Sequence, residues 1–429
     1  MVYGHFEAFQ EAYHRTYSQN YGFFRHIITH TVERYLACGD PREGVARYEC
    51  GKCGQSTAIP FSCKTRLFCP SCHEKKTLLW IESIRTELLL PVSHRFWTFS
   101  IPKRLRPYFM YNRKLLSIIV DAANFALTAP LTEGRLVKNL RLGIISLIQT
   151  HSDFLEFNCH LHLIVTNGLV DYSDISCPKF QSVGRWDGPV ITELFRWRLL
   201  TSLVKKKIIS PEIADNMLSW PHSGFHVHAT APFDSSDAKL LENRLAYAFR
   251  PPVALNRLSF DGEMVTVTTT KRKQLTLTPP DFLAKLTLHI PNRYQNIRRY
   301  AGFYSPNIQS RVRQAREESK EIMQSVKEDA KQIMPKWAAM LAKIFGELPI
   351  ACRKCGTIMD LKEFIFDDTI ILKWFPYIAR APPKRTFEDY IPLGDDNIIY
   401  SRDVDIGFDA EFNQTRPEID EDFNQDLSW

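Results

Sequence analysis

The strongest constraint on the fold is a pair of CxxC motifs near the N-terminus. Cys50-Gly-Lys-Cys53 and Cys69-Pro-Ser-Cys72 are separated by fifteen residues. Each motif presents two thiolates from one tight turn, and two such pairs can complete a tetrahedral four-cysteine zinc site. Because four protein ligands leave no open position for a substrate, the sequence predicts a structural zinc ion held by Cys50, Cys53, Cys69 and Cys72.

Other cysteines are candidates for a metal-binding role. Cys38 and Cys63 lie close to the first two motifs and can replace one ligand or help to build a second site. Cys352-Arg-Lys-Cys355 has the spacing of half a zinc site, but no further cysteine pair follows it. Its partners must come from elsewhere in the chain, or the segment is a plain turn, and the sequence leaves both interpretations open.

The distribution of charge favours a polyanionic partner. The hydrophobic fraction of 44% and the charged fraction of 24% are ordinary globular values, which excludes a disordered, collagen-like or coiled-coil chain. Residues 361–429 carry 7 basic and 16 acidic side chains, whereas residues 1–360 carry 48 and 32. A basic body with an acidic tail is typical of proteins that bind polyanions. A surface charge without special meaning is the alternative.

The sequence gives no sign of export or of membrane insertion. The N-terminus has no apolar signal-peptide core, and we expect no stretch of about twenty apolar residues that spans a membrane. In a cytosolic protein thiols stay reduced, so paired cysteines there more often bind metal than form disulfides.

Short alternating runs predict strands mixed with helices, without a regular βαβ period. This mixture favours an α+β fold with a largely antiparallel sheet. The dipeptide Asp261-Gly262 predicts a hairpin within residues 258–270. Strands are predicted for residues 95–102, 142–151, 160–170 and 224–231, and helices for residues 111–127, 191–220, 237–250, 292–304 and 311–345.

Two His-x-His motifs are candidate metal sites. In a strand, residues i and i+2 point to the same face, so His160 and His162 can hold one divalent ion side by side. His151 lies on the neighbouring predicted strand, which an antiparallel turn can bring alongside as a third ligand. His226-Val-His228 has the same spacing on another strand and is a rival pair. Satisfied or exposed histidines are the commoner outcome for such a motif alone.

Tyr300 and Tyr304 are candidate nucleophiles. On the helix predicted for residues 292–304 they lie four residues apart and share a face. A phenol has a pKa near 10 and attacks poorly at neutral pH, but adjacent arginines or a metal that polarises the target phosphate offset this weakness. An aromatic helix face packed in the core is the alternative.

In this order and at these distances, the motifs resemble one family. The chain is similar to the HUH-superfamily rolling-circle transposases of bacterial insertion sequences, the IS91 type with two tyrosines. The sequence departs from the family pattern at Cys159, where many relatives have proline, and at Ala301, where many have a second adjacent tyrosine. The resemblance rests on YECGKCG, SCKTRLFCPSC, HRFWTFSIPKRLRPYF, LIQTHSDFLEFNCHLHLIVTNG, ENRLAYAFRPPVALNRLSFDG, HIPNRYQNIRRYAGFYS and WAAMLAKIFGELPIACRKCG.

The resemblance implies a reaction on single-stranded DNA at transposon ends and on target DNA. The family's metal pair falls on His160 and His162, with His151 as third ligand for Mg²⁺ or Mn²⁺. Tyr300 is then the residue that attacks the scissile phosphate to give a 5′-phosphotyrosine link, and Tyr304 carries a second cleavage or the strand transfer. Structural zinc completes the cofactors, and the protein is expected in the bacterial cytoplasm in association with DNA.

The resemblance also implies the domain organisation. We expect an N-terminal zinc-binding, DNA-binding domain (1–90) and an HUH-endonuclease-like antiparallel sheet with flanking helices and the tyrosine helix (91–310). A helical region with a CxxC knuckle (311–366) and an acidic tail (367–429) follow. The residues expected at DNA phosphates are Lys64, Arg66, Arg298 and Arg299.

Three other functions fit parts of this pattern. A replication initiator or plasmid relaxase uses the same chemistry for another purpose. A non-catalytic, zinc-dependent DNA-binding protein would form no covalent link with DNA. A hydrolytic metallonuclease would use water as the nucleophile, and neither tyrosine would then matter.

Overall fold

The computed structural model describes residues 2–132, 139–220, 224–323 and 350–380. Helices are mixed with antiparallel strands, which confirms the predicted α+β class. The described residues contain a seven-stranded central sheet and two three-stranded sheets. Most of the helix predicted for residues 311–345 and most of the acidic segment 367–429 lie outside the described residues.

The bounds of the elements are as follows. The helices are α1 (Val2–Thr16), α2 (Ser18–Tyr21), α3 (His26–Leu36), α4 (Pro70–Ser83), α5 (Arg106–Tyr111), α6 (Leu116–Thr132), α7 (Gly188–Lys205), α8 (Pro211–Leu218), α9 (Ala238–Ala248), α10 (Pro279–Thr287), α11 (Pro306–Met323) and α12 (Asp368–Trp374). The strands are β1 (Val45–Glu49), β2 (Ser56–Pro60), β3 (Ser93–Ser100), β4 (Leu140–His151), β5 (Phe157–Asp171), β6 (Lys179–Ser182), β7 (His226–Ala229), β8 (Phe233–Asp234), β9 (Leu258–Phe260), β10 (Val265–Thr268), β11 (Gln274–Leu277), β12 (Arg298–Gly302) and β13 (Asp360–Ile365).

The central sheet has the strand order β12-β4-β5-β3-β7, with β6 also paired to β5 and β8 also paired to β3. The four predicted strands therefore exist as β3, β4, β5 and β7. Helices cover both faces of β5. On one face Phe99, which is in register with Leu161, packs against Phe195 of α7 at 4.9 Å between ring centroids. The histidines of β5 lie on the opposite face, toward α4 and α9.

Helix α6 lies within an apolar segment that the sequence analysis did not predict. Among the described residues, Arg113–Thr132 is long and apolar enough to cross a membrane, so the expectation of no such stretch is wrong. More than half of its most apolar part is buried within the protein. Helix α6 contacts α7, β4 and β5. Its apolar composition is that of a core helix with protein on several sides.

The predicted hairpin at Asp261-Gly262 is confirmed. The Asp261 carboxylate accepts hydrogen bonds from the backbone N–H groups of Glu263 and Met264, at 2.9 and 2.7 Å. Gly262 has a φ of +109°, a conformation that favours glycine. The hairpin strands are β9 and β10, and β11 adds a third strand to this small sheet.

The helix predicted for residues 292–304 is wrong. Arg298–Gly302 is strand β12, which pairs antiparallel with the open edge of β4. Gly302 has a φ of +58°, and a Cβ at this position would lie 1.8 Å from the carbonyl oxygen of Leu142. The backbone approaches β4 too closely for any other residue. Pairing with β4 thus overrides the helical spacing of the tyrosines, and the helix begins only at Pro306.

Candidate functional site

His160 and His162 lie side by side on the face of β5 that points toward α4 and α9. Their ring centroids are 5.0 Å apart. Nδ1 of His160 lies 2.7 Å from the carbonyl oxygen of Asn158, which can only accept, so Nδ1 carries the proton. Nε2 of His160 therefore keeps its lone pair for a metal ion. Nδ1 of His162 lies 3.3 Å from Thr98 Oγ1, an oxygen that can accept a hydrogen bond from Nδ1–H when Nε2 binds a metal.

Gln149 occupies the place expected for the third histidine. Its Oε1 lies 2.9 Å from Nε2 of His162, and its Nε2 lies 3.0 Å from Nε2 of His151. Gln149 is the residue opposite His160, and a β-bulge between Gln149 and His151 then pairs His151 with Phe157. His151 is only 1% exposed and lies behind the amide. The structure thus does not gather the three imidazoles around one point.

Burial keeps both histidines of the pair neutral. It lowers the pKa of His160 to about 4, and the Arg250 guanidinium adds to the effect. It lowers the pKa of His162 to about 3, with further lowering by His160 and Arg250. Neutral imidazole is the form that binds metal ions. In this structure Nε2 of His162 donates to the Gln149 oxygen. If the His162 proton moves to Nδ1, the two Nε2 atoms and the amide oxygen can serve as ligands for a divalent ion, with positions left open for phosphate oxygens.

Tyr304 is a core residue. It is 1% exposed, and burial raises the pKa of its phenol. Nδ1 of His94 lies 2.7 Å from the carbonyl of Val92, so Nε2 of His94 accepts the Tyr304 O–H at 2.7 Å. The backbone N–H of Leu90 donates to the same oxygen at 3.2 Å. In this conformation the Tyr304 hydroxyl has no access to a DNA phosphate.

Tyr300 shares the histidine face but lies two strands away. Strand register places Tyr300 opposite Ile145, and Ile145 opposite Ile164 of β5. Two strand spacings amount to roughly 10 Å. The indole N–H of Trp80 donates to the Tyr300 hydroxyl at 2.7 Å. Tyr300 and Tyr304 therefore do not point to one place, because the segment is a strand followed by a turn.

A third tyrosine lies beside the histidines. The ring centroid of Tyr247, near the end of α9, is 5.9 Å from that of His162, with the rings nearly perpendicular. Tyr247 is 55% exposed, and the Arg250 guanidinium lies 5.0 Å from its ring centroid. An ion pair with Asp153 at 2.7 Å holds Arg250 in place. Sequence reasoning gave Tyr247 no role, although the segment ENRLAYAFRPP that contains it was part of the resemblance.

The rival histidine pair lies on the same face of the sheet. On β7, His228 is in register with Thr98, and Thr98 with His162. His226 is likewise aligned through Ser100 with His160. Strand β3 separates the backbones of the two pairs by roughly 10 Å. Among the described residues, the ring nitrogens of the two pairs do not form a cluster within 4.8 Å of one another. His226 and His228 are exposed at the edge of the sheet.

The cysteines form two clusters, and the expected grouping is corrected. The first cluster consists of Cys38, Cys63, Cys69 and Cys72, and the second of Cys50, Cys53, Cys352 and Cys355. In each cluster the sulfur atoms lie within 4.8 Å of one another. The sequence paired Cys50 and Cys53 with Cys69 and Cys72 because they are close along the chain. The pairing of β13 with β1 instead brings the C-terminal CxxC motif to the first N-terminal one.

Two protein-family models match the chain. One, for a transposase zinc-binding domain, covers residues 6–101 and so contains the whole first cysteine cluster. The other, described as "Putative transposase", covers residues 143–312 and contains the histidine pair and Tyr247. The chain belongs to the IS91-type transposases. Membership implies DNA binding and a DNA-cleaving activity, and the zinc-binding domain together with the cysteine clusters supports structural zinc.

One relative aligns with most of the transposase. It is the transposase for insertion sequence element IS801 of Pseudomonas savastanoi pv. phaseolicola, which is 28% identical over 362 residues. The alignment covers 79% of this chain and 84% of that protein. No solved structure matches the transposase.

Basic side chains of the transposase meet between the first cysteine cluster and the histidine face. Burial lowers the pKa of Lys76, and Arg66, Arg298 and Arg34 lower it further, which shows that these cations lie close together. The Arg298 guanidinium lies 5.4 Å from the ring centroid of Trp80 and 5.7 Å from that of Phe249. This basic cluster (Arg34, Arg66, Lys76 and Arg298) contains two of the four residues expected at DNA phosphates.

The other two expected DNA contacts lie apart from the basic cluster. Lys64 is exposed in the loop of the first cysteine cluster, with a φ of 55°. Arg299 alternates with Arg298 along β12 and points to the opposite face of the sheet. Burial lowers the pKa of Arg299, and the Asp121 carboxylate on α6 opposes that shift. Arg299 therefore does not share a surface with the histidine pair.

Proposed function

We propose that this transposase nicks and rejoins single-stranded DNA by attack of a tyrosine hydroxyl on a phosphate held at His160 and His162. The observation that carries the proposal is the neutral histidine pair with an exposed tyrosine ring 5.9 Å from His162. The family assignment implies a DNA-cleaving activity, and we propose the histidine pair as its site. The protein is expected in the bacterial cytoplasm, bound to DNA at transposon ends and at target sites.

The ligands we propose for a catalytic divalent ion are His160, His162 and Gln149. A bound ion would withdraw charge from the scissile phosphate and orient it. Two imidazoles and one amide oxygen suit Mn²⁺ better than Mg²⁺ on ligand softness. The bond from Nδ1 of His160 to the Asn158 carbonyl fixes the tautomer that presents Nε2. His151 supports the Gln149 amide from behind instead of binding the ion itself.

Tyr247 is the attacking residue that the geometry favours. Its hydroxyl would form a bond to phosphorus while the bond from phosphorus to the 3′ oxygen breaks. The phenol proton ends on the released 3′ hydroxyl, and the DNA stays linked to the protein through a 5′-phosphotyrosine. Attack by a 3′ hydroxyl on that link reverses the step, so rejoining needs no ATP. Arg250, beside Tyr247, offers positive charge to the phosphate.

Tyr300 and Tyr304, the nucleophiles that the resemblance implied, are the competing candidates. Tyr300 would have to release the hydrogen bond from Trp80 and reach across β4. Tyr304 would have to leave the core and break its contacts with His94 and Leu90. Tyr247 needs neither change, because its ring is already exposed beside His162.

The basic cluster and a neighbouring cavity mark the path we propose for the DNA strand. The cavity has a volume of about 380 Å³ and lies between α4 and the segment that follows α9, with Phe249 and Arg250 in its wall. It is large enough for an unstacked nucleotide, which a duplex would not supply. Phosphates on either side would meet Arg66, Lys76 and Arg298.

Adduct mapping tests the proposal. Labelled single-stranded DNA from the ends of the insertion element is incubated with the protein and Mn²⁺, and covalent products are separated on a denaturing gel. Trypsin, which does not cleave before proline, places Tyr247 in the peptide 245–257 and both Tyr300 and Tyr304 in the peptide 300–311. We expect an adduct on peptide 245–257 that is lost in Tyr247→Phe and in His160→Ala. Tyr377→Phe, which changes a 64% exposed tyrosine far along the chain, is the matched control.

The other outcomes separate the alternatives. An adduct on peptide 300–311 would return the nucleophile to Tyr300 or Tyr304, and the single variants Tyr300→Phe and Tyr304→Phe would identify which. Metal-dependent cleavage without an adduct would make water the nucleophile. Binding of the correct DNA with neither product would contradict a catalytic role and favour a DNA-binding protein.

A further inference from the structure

The second cysteine cluster has the dimensions of a zinc site. The sulfur atoms of Cys50 and Cys355 are 3.5 Å apart, those of Cys53 and Cys352 are 3.4 Å apart, and those of Cys53 and Cys355 are 3.7 Å apart. Tetrahedral zinc with bonds of about 2.3 Å to sulfur requires sulfur atoms about 3.8 Å from one another. The four thiols therefore surround a space that one zinc ion fits.

The two CxxC turns of this cluster are built alike. Gly54 has a φ of +70°, and its N–H donates to the carbonyl of Cys50 at 2.9 Å. Gly356 also has a φ of +70°, and its N–H donates to the carbonyl of Cys352 at 2.8 Å. This left-handed conformation favours glycine. Two equal turns present their thiols to each other, although nearly 300 residues separate them in the chain.

Among the described residues, the apolar core around the second cysteine cluster is small. Strand β13 pairs with β1, and in the part of the chain that the structure describes the buried apolar side chains beside the thiols are Ala46, Tyr48, Ile350 and Met359. Phe364 and Phe366 on the same segment are 58% and 67% exposed. Small cores of this kind ordinarily need a metal ion or disulfides to be stable, and the cysteines here are free thiols.

We propose that Cys50, Cys53, Cys352 and Cys355 bind a second structural zinc ion that makes residues 350–380 part of the N-terminal zinc-binding unit. The matched family models end at residues 101 and 312, so neither contains Cys352 or Cys355. Four protein thiolates leave no open position, which makes the site structural. The zinc ion would cross-link the N-terminal CxxC turn to the C-terminal one. The site is independent of the DNA chemistry proposed above.

Zinc content per chain tests the site. The full-length protein, purified under reducing conditions, is expected to hold two zinc ions by elemental analysis, one for each cluster. The double variant Cys352→Ser/Cys355→Ser is expected to hold one. Cys177→Ser, which removes an exposed cysteine outside both clusters, is the matched control and keeps both ions. A wild-type protein with one zinc ion, or a double variant that keeps two, would overturn the proposal.

A second measurement covers a double variant that fails to fold. X-ray absorption at the zinc edge of the unaltered protein gives the average number of sulfur neighbours per zinc ion. Two zinc ions with four sulfur ligands each require eight of the ten cysteines, and the two clusters supply that number. An average of clearly fewer than four sulfur ligands per ion, with nitrogen or oxygen in their place, would contradict the assignment. Two disulfides in place of the ion, seen as a lower intact mass, would contradict it as well.

Discussion

The histidine face of the central sheet and the two cysteine clusters are both candidate metal sites, but they are assembled by different forces. Register between β4, β5 and β3 holds the histidines, and the hydrogen bonds that His160 and His162 donate to the oxygens of Asn158 and Gln149 orient the rings without an ion. Among the described residues, the first cysteine cluster has a core of the three buried cysteines Cys63, Cys69 and Cys72, with Tyr35 and Cys38 packed against them. A metal ion at the histidine face would thus supply chemistry, whereas a metal ion in the clusters supplies structure.

Removal of zinc should separate the two regions with the largest effect. Structural zinc sites contribute about 10–16 kcal/mol in zinc-finger peptides, so a strong chelator should unfold the segments around Cys38–Cys72 and residues 350–365. The central sheet, with its large apolar core, should keep its fold. Hydrogen exchange followed by mass spectrometry measures both regions in one sample. Loss of protection in β5 together with the clusters would show that the two regions form one cooperative unit.

Acid should destabilise the central sheet through its buried histidines. Burial lowers the pKa of His94 to about 4 in the folded protein, whereas an unfolded histidine has a pKa of about 6.5. The unfolded state therefore binds more protons between these values, and stability falls as the pH drops from about 6.5 to about 4.

The variant His94→Gln isolates this contribution. Its free energy of unfolding should fall less steeply over the same range, by up to about 1.4 kcal/mol per pH unit, which corresponds to one proton. Urea titrations at several pH values measure both proteins. Parallel curves for the two would contradict a neutral buried His94.

Gly143→Ala should test how firmly Tyr304 is packed. A Cβ at residue 143 would lie 2.6 Å from the Tyr304 ring, which the bonds to His94 and Leu90 hold in place. Overpacking of this kind costs about 1–3 kcal/mol. Gly184→Ala is the control, because nothing lies within 4 Å of the added atom. Equal stability of the two variants would mean that Tyr304 moves easily, which would strengthen it as a nucleophile.

The smallest effect is expected for a single phosphate contact. Arg66→Ala should reduce the salt dependence of single-stranded DNA binding by about 0.7 in the slope of log K against log salt. Arg299→Ala should leave the slope unchanged, because Arg299 faces α6 on the other side of the sheet. Fluorescence anisotropy at several salt concentrations measures both slopes. A larger change in slope for Arg299→Ala than for Arg66→Ala would place the DNA on the α6 side of the central sheet and contradict the proposed path.

The comparison of predicted and observed tyrosines shows where local patterns fail. The spacing of Tyr300 and Tyr304 fits a helix, and the adjacent arginines suggest a phosphate site. The open edge of β4 takes this segment as strand β12 instead, and the turn that follows buries Tyr304. Tyr247 carried no pattern of its own. Only the position of α9 over β5 reveals it.

The local motifs of this transposase could be predicted from its sequence. Each CxxC turn, the His-x-His strand and the Asp261-Gly262 hairpin depend on residues within a few positions of one another, and their geometry follows from backbone conformation and side-chain period. Which of these motifs come into contact depends on the tertiary structure. Tertiary contacts bring Cys50 and Cys53 to Cys352 and Cys355. They also place Gln149 instead of His151 next to His162, and Tyr247 beside the same histidine. These contacts join residues up to 305 positions apart, and strand pairing and core packing create them only when the chain folds.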